Sequence, residues 1–198
     1  GIVKKTEMEA FSNIRRSGLK AITLKSDDAL EWVAPSNGDD LVLMVSSAGQ
    51  AIQFSEHAVR PMGRTAGGVR GMRLKKNDAI VAMHVAPKDN KDLQALVVTE
   101  CGFGKRTPLS DYRLQGRGGS GIKTAVVTAK TGKVVNAAMV QTGTLNKTDL
   151  LIITKKGQVI RIPAATVNEQ GRSTQGVRVM RPTPESGPVA TFTTWMSA

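Results

Sequence analysis

Thirteen of the 28 basic residues fall in four windows, 11–22, 59–73, 112–124 and 168–181, which hold a single acid, Glu169. They are Arg15, Arg16 and Lys20; Arg60, Arg64, Arg70 and Arg73; Arg113, Arg117 and Lys123; and Arg172, Arg178 and Arg181. Outside the windows 15 basic residues face 15 acidic ones, so the windows carry essentially all of the +12 net charge. A surface built only for solubility mixes the two signs. Guanidinium groups set among Gly, Ser and Thr suit an anion. Arg grips phosphate oxygens bidentately, and amides exposed beside glycine add donors. Hydroxyls at Thr65, Ser173 and Thr174 extend the donor set. Contacts of this kind position a phosphate backbone and read little base sequence. The glycines have a second reading, as tight turns between strands.

These windows recur because the chain repeats. Glycines at 1, 49, 102 and 157 each open a similar segment, with spacings of 48, 53 and 55 residues. That spacing is typical of repeat architectures. A second glycine follows, then an aliphatic residue and a base: Gly18-Leu19-Lys20, Gly68-Val69-Arg70, Gly121-Ile122-Lys123 and Gly176-Val177-Arg178. We call the stretch around this second glycine the arm. The start segments add bases at matching places, Lys4, Lys5, Lys105, Arg106 and Arg161, and these are placed in the same anion-binding set.

Each copy reads as four strands. A start strand (Val3 to Thr6 in the first copy, Gly104 to Thr107 in the third) precedes the arm. An arm strand follows, at 20–24, 70–74, 123–127 and 178–181. Third strands are expected at 29–34, 79–86, 133–140 and 188–195. The fourth class is the most apolar, at 41–45, 93–99 and 150–153, as expected of strands buried on both faces. The last copy ends at Ala198 without one, so its sheet needs that strand from elsewhere. The expected architecture is an all-β, propeller-like array of four-stranded blades at about 1–48, 49–101, 102–156 and 157–198. Residues 4–11 come nearest to a helical period but read as strand plus loop. Trp32 and Trp195 occupy corresponding third strands and are expected in the core.

The totals exclude several classes. No stretch reaches the roughly 20 apolar residues of a membrane span, and a pI near 10.2 favours a polyanionic partner. A single cysteine, Cys101, forms no internal disulfide, and a reducing cytoplasm fits. Residue 1 is Gly, and the chain reads as a piece of a longer protein. Residues 116–124 approach a P-loop, but Ile122 separates Gly121 from Lys123, and no helix pattern follows. Tyr112 is the only tyrosine. It lacks a nearby His or a cluster of acids, and aligns with Phe11 and Val59 at the base of the arm. His57 and His84 have no partners at zinc spacing. Few aromatics in the arms argue against single-stranded RNA, which needs stacking platforms. A protein-binding scaffold would not need its excess charge in the arms.

Three segments, residues 60–72, 102–109 and 171–178, resemble the C-terminal β-pinwheel domain of DNA gyrase A, shared with the related topoisomerase IV protein. The resemblance covers essentially the whole chain and lies closer to gyrase. It implies blades that bind and wrap duplex DNA, presenting it to a cleavage gate for negative supercoiling. The family domain has six blades, and this chain resembles the last four. The family's box, Gln-Arg-Arg-Gly-Gly-Lys-Gly, is approached by Gln115-Gly116-Arg117-Gly118-Gly119-Ser120-Gly121, with Gly116 and Ser120 where the box has bases. We read it as a box-like arm of a later blade. The family's acidic tail is absent. The resemblance implies a non-catalytic module without a cofactor of its own. ATP and Mg are used by other domains of the parent enzyme. Implied partners are double-stranded DNA, the N-terminal cleavage core of gyrase A and the ATPase component, gyrase B. The piece itself is expected to be monomeric, in the bacterial cytoplasm near the nucleoid. The alternatives are a topoisomerase IV domain or a basic propeller-like scaffold for protein or RNA.

Overall fold

The most apolar runs become the central strands, because only a strand flanked on both sides and covered on both faces satisfies its backbone while hiding such residues. The computed structural model describes residues 1–196, two short of the end of the expected 157–198 blade. It contains β1 (Ile2–Val3), β2 (Leu41–Ser46), β3 (Gln50–Ser55), β4 (Val69–Arg70), β5 (Ile80–Ala86), β6 (Leu93–Thr99) and β7 (Phe103–Pro108). Then come β8 (Ile122–Lys123), β9 (Val134–Gln141), β10 (Thr148–Thr154), β11 (Val159–Pro163), β12 (Val177–Arg178) and β13 (Val189–Met196). The sheets have the orders β5-β2-β3-β8, β9-β6-β7-β12, β13-β10-β11 and β1-β4, and all their pairings are antiparallel.

Each start glycine after the first sits in the turn of a hairpin. Gly49, Gly102 and Gly157 have positive φ and donate their N–H groups to Ser46, Thr99 and Thr154. The glycines therefore mark the middle of a sheet. The sheets cross the boundaries expected from the repeat: one takes β2, β3 and β5 plus β8 from the next repeat, and the other takes β6, β7 and β9 plus β12.

The outermost strand of each full sheet comes from the arm of the following repeat. It is two residues long: β8 lies on β3, and β12 on β7. The same joint ties β4 to β1. The expected arm strands 70–74, 123–127 and 178–181 shrink to these pairs. Residues 20–24 and 29–34 form no strand. Third strands pair with the apolar strand that precedes their own start glycine (β5 on β2, β9 on β6, β13 on β10), and residues 29–34 have no such neighbour in this chain. The last sheet also differs from expectation. It has its apolar strand, β10, and what it lacks beside β11 is an arm strand.

Three clusters fill the core. Leu43, Val45, Leu93, Val97 and Tyr112 lie between the first two full sheets. Leu96, Val98, Leu150, Ile152 and Phe192 lie between the second and third. Met44, Ile52, Phe54 and Met72 cover the far face of the first, with Val3 and Val69 packed against them. β6 is buried throughout, whereas β10 alternates, so the two-sided burial expected of 150–153 does not hold. Among the described residues no further sheet covers the outer face of β10. Trp195, on β13, is 58% exposed for the same reason, contrary to its expected place in the core, and Trp32 is half-buried. A short 3-10 turn follows each start strand, at Met8–Phe11, Glu56–Ala58, Leu109–Asp111 and Ala164–Thr166. After the last three turns a buried Val59, Tyr112 or Val167 anchors the base of the arm. Among the described residues no helix is long and apolar enough to cross a membrane.

The arm joint depends on glycine. At Gly176, φ is +85° and a Cβ would lie 2.6 Å from the Gly104 carbonyl oxygen; at Gly121 the corresponding distance to Ala51 is 2.5 Å. Gly116, with nothing within 4 Å, is free of this constraint. Gly176→Ala should destabilise the protein by on the order of 2 kcal/mol or more. Gly116→Ala should stay within about 0.5 kcal/mol of wild type. Urea denaturation of the two variants checks the difference, and equal stabilities would contradict the joint.

Candidate nucleic-acid interface

Each of the last three arms leaves its buried anchor and crosses the start segment of the preceding repeat. Three isolated parallel bridges mark the crossing: Lys5 with Pro61, Gln53 with Leu114, and Arg106 with Glu169. One residue further on, Met62, Gln115 and Gln170 donate their N–H groups to the carbonyls of Lys5, Gln53 and Arg106 at 2.8–2.9 Å. The far end is fixed on the start glycine. Gly71 and Met72 donate to Gly1, Thr124 and Ala125 to Gly49, and Val179 and Met180 to Gly102.

The arms also hold one another. Arg73 donates its N–H to the Gly119 carbonyl at 2.8 Å, and Val126 donates to Thr174 at 3.0 Å. Thr23 makes the equivalent, longer bond to Ala66 at 3.5 Å. A guanidinium reinforces each joint. Arg64 Nη1 donates to the Lys20 carbonyl at 3.4 Å, Arg117 Nη1 to Arg70 at 3.0 Å, and Arg172 Nη1 to Lys123 at 3.1 Å. Arg117 Nε also donates to the Ala58 carbonyl at 2.7 Å. The four arms are therefore linked in series.

This layer carries most of the cations singled out from the sequence. Arg15, Arg16, Lys20, Arg60, Arg70, Arg73, Arg113, Arg117, Lys123 and Arg178 are exposed, and Arg64 and Arg172 half-buried. Among the described residues none of these twelve takes part in a salt bridge. Arg178 lies over the Phe103 ring, 4.5 Å from its centroid, and donates to the Cys101 carbonyl at 3.3 Å. Arg181 is exposed in the same arm. In the box-like arm, Gly118 donates its N–H to the Gly71 carbonyl at 2.6 Å, and Gly119 approaches Ile52. These glycines serve packing between arms. Gln115 is half-buried, while Gly116 and Ser120 are exposed.

The five bases of the start segments are placed otherwise, each bonded to a carbonyl or carboxylate of the protein. Lys105 is 1% exposed; its ammonium donates to the carbonyls of Gly171 (2.7 Å) and Arg172 (2.5 Å) and to Thr174 Oγ1 (3.1 Å). Burial, helped by the Arg172 guanidinium, lowers its pKa to about 8 against the opposing pull of Asp111. Arg106, also buried, donates to the Val167 carbonyl at 2.7 Å and to the Gln94 side chain. Lys4 donates to the carbonyls of Ala21 and Arg64, and its pKa is lowered by burial and by the Arg64 charge. Lys5 pairs with the buried Glu56 carboxylate at 3.2 Å. Arg161 grips Asp149 with two nitrogens, at 2.8 and 2.5 Å. Lys105 and Arg106 sit on β7 and Arg161 on β11, while Lys4 and Lys5 directly follow β1, and all but Arg161 are drawn inward by backbone carbonyls or a buried carboxylate.

Sequence reasoning missed the role of Lys4 and Lys105 as stays beneath the arms. A signal was present: the equivalent residues of the other two repeats are Ile52 and Ile160. A position that alternates between lysine and isoleucine points inward. Tyr112 is 3% exposed, its hydroxyl bonded to Thr124 at 2.6 Å and its pKa raised by burial. It is built for packing at the base of the arm. Among the described residues no three His, Cys, Asp or Glu side chains cluster to hold a metal ion.

An all-β array whose four-stranded sheets are completed by the basic arms of following repeats is a β-pinwheel. The model of the DNA gyrase C-terminal domain, beta-propeller, family matches residues 1–37, 40–87, 94–141 and 148–191, and the chain belongs to this family. The second and third segments coincide with β2–β5 and β6–β9, and the fourth runs from β10 into the start of β13. The DNA gyrase A protein of Staphylococcus epidermidis is 43% identical over 181 residues, 91% of this chain and 20% of that protein. The chain thus spans about a fifth of this relative's length. A crystal structure of the C-terminal domain of DNA topoisomerase IV is similar over the whole chain and 59% of its own, with 27% identity and a TM-score of 0.89. A DNA gyrase A C-terminal domain is similar over 91% of this chain and 59% of its own, with 28% identity and a TM-score of 0.74.

The depressed pKa of Lys105 has a signed consequence. Below about pH 8 the ammonium is charged in both folded and unfolded chains, and the cost of burying it is fully present. Between about pH 8 and the ordinary lysine value near 10.4, the unfolded chain holds the extra proton, so stability rises with pH. Lys105→Met removes this titration. The stability of wild type relative to Lys105→Met should rise between pH 8 and 10 by on the order of 1–3 kcal/mol. Thermal unfolding across that range measures it, and a flat difference would contradict the burial.

Proposed function

We propose that this chain is the non-catalytic module of a DNA gyrase A protein that binds and bends duplex DNA. It orients the DNA for ATP-dependent negative supercoiling by the whole type II topoisomerase. The observation that carries the reading is the arm layer: twelve cations without salt bridges among the described residues, on arms joined in series by one repeated joint. A serial layer of cations suits a long polyanion with regular charge. Phosphate contacts made by such a layer are blind to base sequence. The scarcity of aromatics in the arms favours a duplex over single strands.

In the parent enzyme the partners are the N-terminal cleavage core of gyrase A and the ATPase component, gyrase B, with ATP and Mg held by those other domains. The module acts as a monomer in the bacterial cytoplasm. Smooth bending of 20–30 base pairs costs on the order of 1–6 kcal/mol. One arm cannot offset that, whereas several acting together can. A second reading, a topoisomerase IV C-terminal domain, is favoured by the TM-score of 0.89 to that enzyme's domain. The 43% identity to a gyrase A protein favours the first. Linking-number analysis of relaxed plasmid with the assembled enzyme separates them, since only gyrase introduces negative supercoils with ATP.

If about eight arm cations neutralise phosphates, log K should fall with log salt at a slope near −7. Replacing Arg70, Arg113, Lys123 and Arg178 together with Ala should weaken binding equally on unrelated duplexes and flatten the slope by about 3 to 4. Fluorescence anisotropy across a salt series measures both. Unchanged affinity and slope would rule out the arm layer as the DNA path.

A further inference from the structure

The three joint arginines differ from the other arm cations. Arg64, Arg117 and Arg172 occupy the same position, 15 residues after their start glycines. Each points a guanidinium nitrogen at one carbonyl of the preceding arm, that of Lys20, Arg70 or Lys123. Those acceptors are themselves a matched set, the base that follows the arm glycine in each repeat. Arg117 goes further and joins two carbonyls, Arg70 and Ala58. Arg64 and Arg172 are half-buried, whereas Lys20, Arg70 and Lys123 are exposed. The geometry therefore separates two roles within one basic layer, one cation held outward and another bonded to its backbone.

We infer that Arg64, Arg117 and Arg172 are positioning residues, staples that lock each arm to the one before it and fix the outward cation there, so that DNA bending depends on their guanidinium geometry and not only on their charge. This rests on the DNA-bending reading above. A bent duplex pushes back on every arm it touches, and arms free to slide past one another would follow a straight duplex. Backbone N–H groups also tie adjacent arms, Arg73 to Gly119 and Gly118 to Gly71 at the second joint and Val126 to Thr174 at the third. A planar fork with donors in fixed directions can bridge two carbonyls. A lysine ammonium keeps the charge and loses that geometry.

Arg→Lys exchange tests this directly. In Arg117→Lys the Arg73 amide should exchange hydrogen about tenfold faster than in wild type while Val126 is unaffected; in Arg172→Lys the pattern should reverse. This readout needs no DNA. In the double variant, the end-to-end energy-transfer change of a labelled duplex on binding should fall by about half or more. The salt slope should stay within about one of wild type, because the charge is kept. Exchange that is unaltered or accelerated everywhere, or a variant that bends DNA as wild type does, would overturn the staples. A slope that flattens by about two would also overturn them, and make these arginines phosphate ligands. Joint-specific acceleration in a protein that does not bend DNA at all would uphold the mechanical lock and remove the DNA reading it serves.

Discussion

One constraint organises the molecule: the start strand of each repeat presents an edge that its own repeat cannot fill. An unpaired edge exposes a row of backbone donors and acceptors. In the first three repeats the following repeat closes it, with two residues of ladder and a chain crossing fixed at both ends. The arm comes so close to the start strand that only glycine fits at the crossing, at Gly68, Gly121 and Gly176. Sheet closure and arm placement are therefore the same event. The segments that complete the fold are those that carry the charge.

This explains why the charge is so well segregated. Lys4 and Lys105 lie beneath the crossing arm, where they meet its carbonyls. Lys105 holds Gly171 and Arg172 there, and Lys4 holds Arg64. Repeats two and four have isoleucine at that position, and Ile52 packs under Gly119 of the box-like arm. The second and fourth arms thus sit on ammonium stays and the third on an apolar contact. Among the described residues the cations on top of the arms have no carboxylate within ion-pair reach and stay available to a polyanion. The single acid of the arm windows, Glu169, accepts a bond from Gln94, which in turn accepts one from the buried Arg106.

Much of the fold was legible because its signals are local. The runs at 41–45 and 93–99 and the third strands at 79–86, 133–140 and 188–195 match the structure to within a residue or two. What was not legible is non-local. A two-residue strand such as β12 has too little length for a period-2 pattern, and its partner β7 lies far back in the chain, one repeat earlier. The four-strand unit read along the chain was thus displaced from the four-strand unit in space. The candidate site divides in the same way. Exposed arm cations were found from charge segregation. Lys105 and Arg106 were misplaced because lysine and arginine are so rarely buried, and only the carbonyls of a crossing arm, invisible in the sequence, make their burial tolerable.

The central claim is that a duplex follows the tops of the arms and nowhere else. Lysine- and arginine-selective labelling with mass spectrometry, with and without a duplex of random sequence, examines it residue by residue. The account predicts protection at Lys20, Arg70, Arg113, Lys123 and Arg178, and none at Lys75, Lys76, Lys155 or Lys156, which are exposed in turns outside the arms. Protection of that second group with the arms left reactive would contradict it.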